Sequence, residues 1–419
     1  MRINTIIDYF MVLALIFISG NIVFQNKISL FIVFILATGL FFYRKSKFDV
    51  SFVYFLVGLM VILILQTFKF NFFPIITFLG VFVRILVAYF ILKSVVNFPD
   101  KFVKVMYYLA LISFIFYIPV LLIPDLSNIL IEKLLLYVQE GDYMQSRYSI
   151  IGLYTIVPGY EMRNAGAFWE MGAFGGFLLL SLMINYLTKP ELNNKTNIVL
   201  ILAIITTQSS TAYISLLLFL AFIFNREVKN ILLKIILLFS LISIGYIAYT
   251  NLDFLGKKIE KQFEDARELM NSPNLEGEST DRFASMLKDW RDFQGHEIIG
   301  RGPNKLTRFT TMYSSGLTND IRTVGSTDLI VRFGLPFFMV VLFFMYKSFS
   351  IYSRHHWNNG DYMGISIVLL ILLLLTSETY FIYPFFWITI MLHYTIVENK
   401  NKIEKTKRKI ESKFYDLNN

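Results

Sequence analysis

The stretch RNAGAFWE at residues 163–170 places an arginine and a glutamate seven positions apart, directly before a strongly apolar run. Charge is costly at a membrane boundary, so its presence there suggests a function. On a continuous helix Arg163 and Glu170 would lie about two turns apart on one face. Arginine suits phosphate oxygens, and a carboxylate can accept a proton from a hydroxyl. The stretch therefore predicts an anion-binding group beside a general base, with a structural ion pair as the alternative.

A second group of candidate residues lies in the polar segment TDRFASMLKDWRDF at 280–293. Its helical apolar stripe consists of Phe283, Met286, Leu287, Trp290 and Phe293. This pattern predicts an amphipathic helix on a membrane surface, flanked on opposite sides by Arg282 and Arg291. Either both arginines reach lipid headgroups, or one turns toward an anionic ligand, because a straight helix cannot bring both to one point.

Charged residues also occur in or next to other apolar runs. Asp328 and Arg332 are four residues apart at the start of a predicted membrane helix, a spacing that permits an ion pair. Arg301 lies in the tight-turn sequence GRGPN, where a ligand could approach closely. Arg84 and Glu378 each require a partner or water, which the sequence does not assign.

Composition argues against several classes of function. The chain has no cysteine and only four histidines, and its predicted external loops contain no carboxylate cluster, so neither a metal site nor a cofactor is expected. The net charge of +9 could indicate nucleic-acid binding. For a membrane chain, lysines in cytoplasmic loops explain it better.

The elements that must position these residues are mostly apolar helices, because 56% of the 419 residues are hydrophobic. We expect an all-α polytopic membrane protein. Segments of spanning length lie near 5–24, 28–43, 51–67, 71–92, 103–124, 166–187, 231–250, 327–346, 363–378 and 380–396. Two shorter segments, 197–207 and 211–224, predict either a turn within the membrane at 206–211 that lines a functional cavity, or two short tilted helices.

The distribution of lysine and arginine predicts about twelve transmembrane helices with both termini in the cytoplasm. Two long loops would then lie on the external face. The predicted division is N-terminal transmembrane helices at 1–124, a first external loop at 125–165, central helices with the short pair at 166–250, a second and larger external loop at 251–325, C-terminal helices at 326–396 and a basic cytoplasmic tail at 397–419.

The chain resembles the bacterial O-antigen polymerase and ligase family. RNAGAFWE is similar to that family's Arg-x-x-Gly-x-Phe-x-Glu stretch, and TTQSSTAYISL is similar to the Thr/Ser-rich short helix that follows it. An external loop with Arg, then Trp, then I-I-G-x-G, and the later RFGLPFF helix extend the resemblance over roughly residues 160–340. The ligase branch has a His-Asn pair where this chain has Ser326-Thr327-Asp328, and Met171 replaces the usual proline after the glutamate of the motif.

The resemblance implies a metal-independent glycosyltransferase in the bacterial inner membrane, with its active site facing the periplasm. It would join oligosaccharide repeat units carried on undecaprenyl diphosphate, as both donor and acceptor, for O-antigen, capsule or a related polysaccharide. Arg163 and Arg282 would hold the diphosphate, with Arg291 and Arg301 as further candidates, and the base would be Glu170 or Asp328. Membrane lipids and a chain-length regulator are the other partners it suggests. The alternatives are a ligase and a flippase for the same lipid-linked glycans.

Overall fold

The computed structural model describes residues 3–139, 147–251, 253–271, 282–309, 322–356 and 360–396. The predicted cytoplasmic tail at 397–419 lies outside these residues. Five helices form the N-terminal part, in agreement with the first five predicted segments: α1 (Ile3–Gly20), α2 (Lys27–Tyr43), α3 (Val50–Phe70), α4 (Ile75–Ser94) and α5 (Phe98–Leu122). Local signals set their ends. The Asn26 side chain caps α2 by accepting from the amide of Ser29, and Asn71 ends α3 in the left-handed conformation.

The first long loop contains regular structure that the sequence patterns did not predict. It forms α6 (Leu126–Leu134) and a small antiparallel sheet in the order β1 (Leu135–Gln139), β2 (Arg147–Ile150), β3 (Tyr154–Ile156). Tyr148 pairs with Ile156, and Ile150 pairs with Tyr154. The protein is therefore mostly rather than entirely helical, and this sheet holds Arg147 at the start of its middle strand.

The central part consists of α7 (Met171–Thr188), α8 (Lys195–Thr207), α9 (Ser210–Glu227) and α10 (Ile231–Asn251). The turn predicted at 206–211 is present between α8 and α9. Gln208 adopts a left-handed conformation there, with φ 47°, and Ser209 caps α9. Helix α7 is 89% buried over its length, far more than the other long apolar helices, so it forms the centre of the bundle.

The second loop and the C-terminal part complete the fold. They comprise α11 (Asp253–Asn271), α12 (Arg282–Phe293), α13 (Lys305–Arg308), α14 (Gly325–Phe333), α15 (Leu335–His356), α16 (Gly360–Leu375), a 3-10 turn (Tyr380–Ile382) and α17 (Pro384–Ile388). Helix α12 buries Ala284, Ser285, Asp289 and Asp292. Its predicted apolar stripe is not the buried face, since Trp290 is 63% exposed. The reason is the set of arginines that packs against the aspartates, described below.

The helix predicted at 327–346 is broken at Gly334, which has φ +81°. A loop segment made of turns packs against the break and satisfies backbone groups there. The amide of Arg301 donates to the Val331 carbonyl at 2.8 Å, and the amide of Leu335 donates to the Glu297 carbonyl at 2.8 Å. Because these bonds come from the second loop, the helical pattern of the sequence alone did not predict the break.

The segment predicted as a final spanning helix at 380–396 is a series of short helical turns instead. Pro384 favours an extended conformation at Tyr383, which has φ −107° and ψ 149°. The apolar side chains of this segment are nevertheless buried, including Trp387 at 2% exposure. Its hydrophobicity therefore reflects a position inside the bundle.

Six helices among the described residues are long and apolar enough to cross a membrane, namely α1, α3, α4, α5, α7 and α15. Helices α2, α8 and α16 are shorter and apolar. Many of these helices expose large apolar side chains, as a bundle surrounded by lipid would.

Candidate functional site

Two glutamates from distant parts of the chain meet beside the first turn of α7. Glu170 immediately precedes this helix, and Glu378 lies beyond the end of α16. Gly172 leaves room for both carboxylates. A β-carbon at this position would lie 3.0 Å from Oε1 of Glu170 and 3.4 Å from Oε1 of Glu378. Two carboxylates this close repel one another unless a proton or cations intervene.

One arginine from each long loop contacts this pair. Nη2 of Arg147 lies 3.4 Å from Oε2 of Glu170, and Nη2 of Arg282 lies 3.8 Å from Oε1 of Glu378. Arg282 also donates to the Thr211 hydroxyl over 3.4 Å. These distances exceed the roughly 2.7–2.9 Å of a close charge-assisted hydrogen bond. The four charged residues Arg147, Glu170, Arg282 and Glu378 are called the acid–arginine site below.

The surroundings hold Glu378 in place. The hydroxyl of Tyr380 donates to the carbonyl of Gly172 at 3.1 Å, which ties the segment after α16 to the start of α7. Gly325, at the start of α14, packs against the Glu378 carbonyl so closely that a β-carbon would clash with it. The Trp169 ring lies 5.1 Å from that of Tyr383. The site is thus built on packed elements, although its arginines come from loops.

Burial raises the pKa of Glu378 well above its ordinary value. The charge of Glu170 and a hydrogen bond between the two carboxyl groups raise it further, whereas Arg282 and Arg147 lower it to a lesser extent. Glu378 is only 15% exposed and Glu170 is 28% exposed. This environment favours the protonated form of Glu378, and Glu170 is the more accessible of the two carboxyl groups.

Arg163 does not share a helix face with Glu170, because α7 begins only at Met171. Residues 163–170 form a series of turns instead. The guanidinium of Arg163 stacks 4.9 Å from the centre of the Tyr160 ring. The next residue, Asn164, is buried and donates to the Thr206 carbonyl at the end of α8. The predicted role of Arg163 in holding diphosphate remains a prediction.

Asp328 belongs to a separate, tightly paired cluster. It accepts from Nε of Arg308 at 2.7 Å and from Nε of Arg332 at 2.9 Å, which confirms the pairing with Arg332 expected from the spacing. Arg308 also contacts Asp289 and Asp292, and Arg322 donates to the same two carboxylates at 3.1 and 3.0 Å. These six residues, three arginines and three aspartates, are called the buried ion cluster. A base function for Asp328 remains a prediction, but its geometry is that of a structural carboxylate.

The other predicted arginines lie elsewhere. Arg291 is in the last turn of α12, about 13 Å along the helix axis from Arg282 at 1.5 Å per residue. Arg301 donates from Nε to the Thr307 carbonyl at 2.9 Å, inside its own loop. Of the four arginines predicted to bind diphosphate, Arg282 is the one that the structure brings to Glu170 and Glu378.

The sequence patterns did not identify Arg147 as a site residue, and they did not predict a partner for Glu378. No local pattern marks Arg147, since its position depends on the small sheet. The sequence did contain an indication of the buried ion cluster. Asp289 and Asp292 are three residues apart, so they share one face of α12.

No protein-family model and no curated protein matches this chain. Within the described residues, no group of three or more histidine, aspartate or glutamate side chains could hold a metal ion.

Proposed function

We propose that this protein is a membrane glycosyltransferase that uses a lipid-diphosphate-linked glycan as donor. The observation that carries the proposal is the acid–arginine site. It combines a carboxylate able to accept a proton with two arginines whose contacts to the glutamates are long. The planar guanidinium groups of these arginines match the oxygen geometry of a phosphate.

Each residue of the site has a role in the proposed reaction. Glu170 accepts the proton of an acceptor-sugar hydroxyl as its oxygen attacks the anomeric carbon of the donor. The new glycosidic bond forms while the bond from that carbon to the diphosphate oxygen breaks. Arg147 and Arg282 stabilise the negative charge that develops on the departing lipid diphosphate. Protonated Glu378 donates a hydrogen bond that orients Glu170.

The proposal includes an orientation in the membrane. Arg147 and Arg282 come from the first and second long loops, and both contact glutamates at helix ends. This convergence supports the proposal that both loops lie on one face, the periplasmic face of a bacterial inner membrane, in a chain of about twelve crossings. The breaks at Gly334 and before Pro384 mean that not every crossing is a single regular helix.

We propose polymerase activity in preference to the two alternatives, a ligase and a flippase. A ligase would transfer finished glycan once, and the family resemblance to ligases is weakened at Thr327-Asp328. A flippase would bind the same lipid-linked glycan without needing a proton acceptor. The Glu170–Glu378 pair favours chemistry over transport, because two adjacent carboxyl groups, one of them with a raised pKa, are typical of acid–base sites.

The test is turnover by purified protein with a defined undecaprenyl-diphosphate-linked oligosaccharide. We expect release of undecaprenyl diphosphate together with a ladder of longer glycans, and we expect both to persist in EDTA. A single transfer product would instead indicate a ligase. Binding or translocation without diphosphate release would contradict the glycosyltransferase proposal, and a requirement for added magnesium would contradict its metal independence.

A further inference from the structure

A second candidate site is a cavity of about 790 Å³ between α2, α4, the loop around α13 and α14. Basic side chains predominate among the charged residues that line it. Among the described residues that line it, five are basic, namely Lys27, Arg84, Lys305, Arg322 and Arg332, and one is acidic, Asp328. The cavity contains none of the four residues of the acid–arginine site.

The single carboxylate does not offset this positive charge. Asp328 is already bonded to Arg308 and Arg332, and Arg322 is bonded to Asp289 and Asp292. The buried ion cluster has three charges of each sign and is neutral as a whole. The excess positive charge of the cavity therefore comes from Lys27, Arg84 and Lys305.

Among these three residues, Arg84 gives the strongest evidence for an anionic ligand. It lies in the middle of α4, one of the helices apolar enough to cross a membrane. No described residue forms a hydrogen bond or ion pair with it. Its guanidinium folds back over Gly80, where an added β-carbon would lie 3.2 Å from Nη1. A lone cation at such a position is costly, so an anionic ligand is its natural partner.

The rest of the lining is suited to hydrocarbon. Phe31 of α2 and Ile76 and Leu79 of α4 line the cavity and are 59%, 77% and 56% exposed. Exposed apolar side chains of two apolar helices therefore border the basic part of the cavity. A free phosphate ion would gain nothing from them, whereas a lipid chain would bury them.

We infer that this cavity binds the phosphate headgroup of a lipid, with the hydrocarbon chain leaving between α2 and α4. Arg84 and Lys305 contact the phosphate oxygens, and Lys27 attracts the headgroup at the entrance. Thr379 lines the cavity directly after Glu378, so one short segment borders both sites. A glycan attached to this phosphate could reach the acid–arginine site. The inference goes beyond the proposed function, because lipid binding here does not require glycosyl transfer.

The experiment is native mass spectrometry of the full chain in detergent, titrated with undecaprenyl phosphate. Uncharged undecaprenol and soluble pyrophosphate serve as separate probes. We expect undecaprenyl phosphate to bind, and Arg84→Gln to weaken it about tenfold or more, since hydrogen bonds to charged groups are the stronger ones. Lys305→Gln, at an exposed position, should weaken it by a smaller factor. Lys133→Gln, an exposed lysine outside the cavity, is the matched control and should bind normally.

Three results would overturn the inference. One is unchanged affinity in both Arg84→Gln and Lys305→Gln. Another is undecaprenol binding as tightly as the phosphate. The third is pyrophosphate binding as tightly as the lipid, which would indicate a soluble anion. Because Arg84 forms no ion pair or hydrogen bond with a described residue, Arg84→Gln should not lower the thermal unfolding midpoint. If the midpoint does fall, Lys305→Gln tests the site. Glu170→Gln should bind the lipid normally, which separates this test from that of the glycosyltransferase proposal.

Discussion

Two groups of charged side chains in this protein differ in how tightly their members are paired. In the buried ion cluster the contacts of Arg308 to Asp328 and Asp292 are 2.7 and 2.9 Å, and Arg308 has no exposed surface. In the acid–arginine site the contacts are 3.4 and 3.8 Å, and every member is partly exposed. Saturated, buried bonding suits a scaffold. The partly exposed side chains of the acid–arginine site, in contrast, are accessible to a substrate.

Substitution of Glu170 tests the proposed base. We expect Glu170→Gln to reach normal abundance, because the amide keeps the size and much of the hydrogen bonding of the carboxylate. Diphosphate release should fall by about 10²-fold or more, the scale of general-base loss. Glu132→Gln, an exposed glutamate in α6, should retain full turnover. If lost polymer merely follows lost protein, Glu170 is structural.

Substitution of Glu378 should have a different effect, because its raised pKa keeps it protonated to higher pH than an ordinary glutamate. Glutamine resembles the protonated acid, so Glu378→Gln should retain most of its activity near neutral pH. In the wild type, activity should fall on the alkaline side once Glu378 loses its proton. The pH profile of kcat/KM measures this. We expect the alkaline limb to move to higher pH in Glu378→Gln, and an unchanged limb would contradict a protonated Glu378.

Among the secondary-structure elements, the second loop is joined to the C-terminal helices by ion pairs and by backbone hydrogen bonds. Helix α12 supplies Asp289 and Asp292, α13 supplies Arg308, and α14 supplies Asp328. This arrangement holds α12 against α14 and so places Arg282, the first residue of α12, near Glu378. The buried ion cluster thus positions one arginine of the candidate site.

Substitution of Arg308 tests whether the buried ion cluster stabilises this arrangement of helices. Arg308→Leu leaves three aspartates buried without their main partner, and breaking a buried pair costs about 3–5 kcal/mol. We expect a large fall in the thermal unfolding midpoint and in membrane abundance. Arg354→Leu breaks an ion pair with Asp361 in which both side chains are more than half exposed, and it should have a far smaller effect. Equal midpoints for the two variants would show that the cluster adds no stability.

The break between α14 and α15 depends on the conformation of Gly334, which a substitution can test. Gly334 has φ +81°, and an added β-carbon would lie 2.1 Å from the carbonyl oxygen of Ile298. Since backbone cannot yield as a flexible side chain can, Gly334→Ala should destabilise the protein by at least about 1 kcal/mol. Gly39→Ala, in open space on α2, should be neutral or slightly stabilising. Thermal unfolding of both variants provides the comparison.

At the scale of the whole molecule, two long loops converge on one end of a helical bundle whose centre is α7. Glu170 lies at one end of α7, while the predicted cytoplasmic loops lie toward the other. The basic cavity proposed to bind a lipid phosphate is lined in part by residues of the second loop. A substrate held by a lipid would therefore meet both sites at one face of the membrane, which suits a reaction between two membrane-anchored glycans.

Cysteine labelling tests this orientation, because the chain contains no native cysteine. Glu268→Cys in α11 and Lys47→Cys between α2 and α3 are both at exposed positions. A small, membrane-impermeant thiol reagent should label the first on intact cells and the second only after the inner membrane is opened. Labelling of Lys47→Cys alone on intact cells would reverse the orientation, and equal labelling would contradict it.

The sequence by itself determined those features that depend on neighbouring residues. Apolar runs predicted α1 to α5, the polar stretch at 206–211 predicted the turn between α8 and α9, and a four-residue spacing predicted the pair of Asp328 and Arg332. These predictions succeeded because helix formation and i,i+4 contacts are local. The same local signals identified Glu170 and Arg282 as candidates, but not what each of them contacts.

Only the tertiary structure decided which distant residues meet. Glu170 lies beside Glu378 and Arg147 because a small sheet and the segment after α16 fold over the start of α7. The predicted helix at 327–346 ends early because a loop segment supplies backbone partners at Gly334, and α12 turns its aspartates inward because Arg308 and Arg322 are there to receive them. Each of these outcomes depends on long-range pairing of charges and backbone groups. Periodicity in a single segment carries no information about such partners.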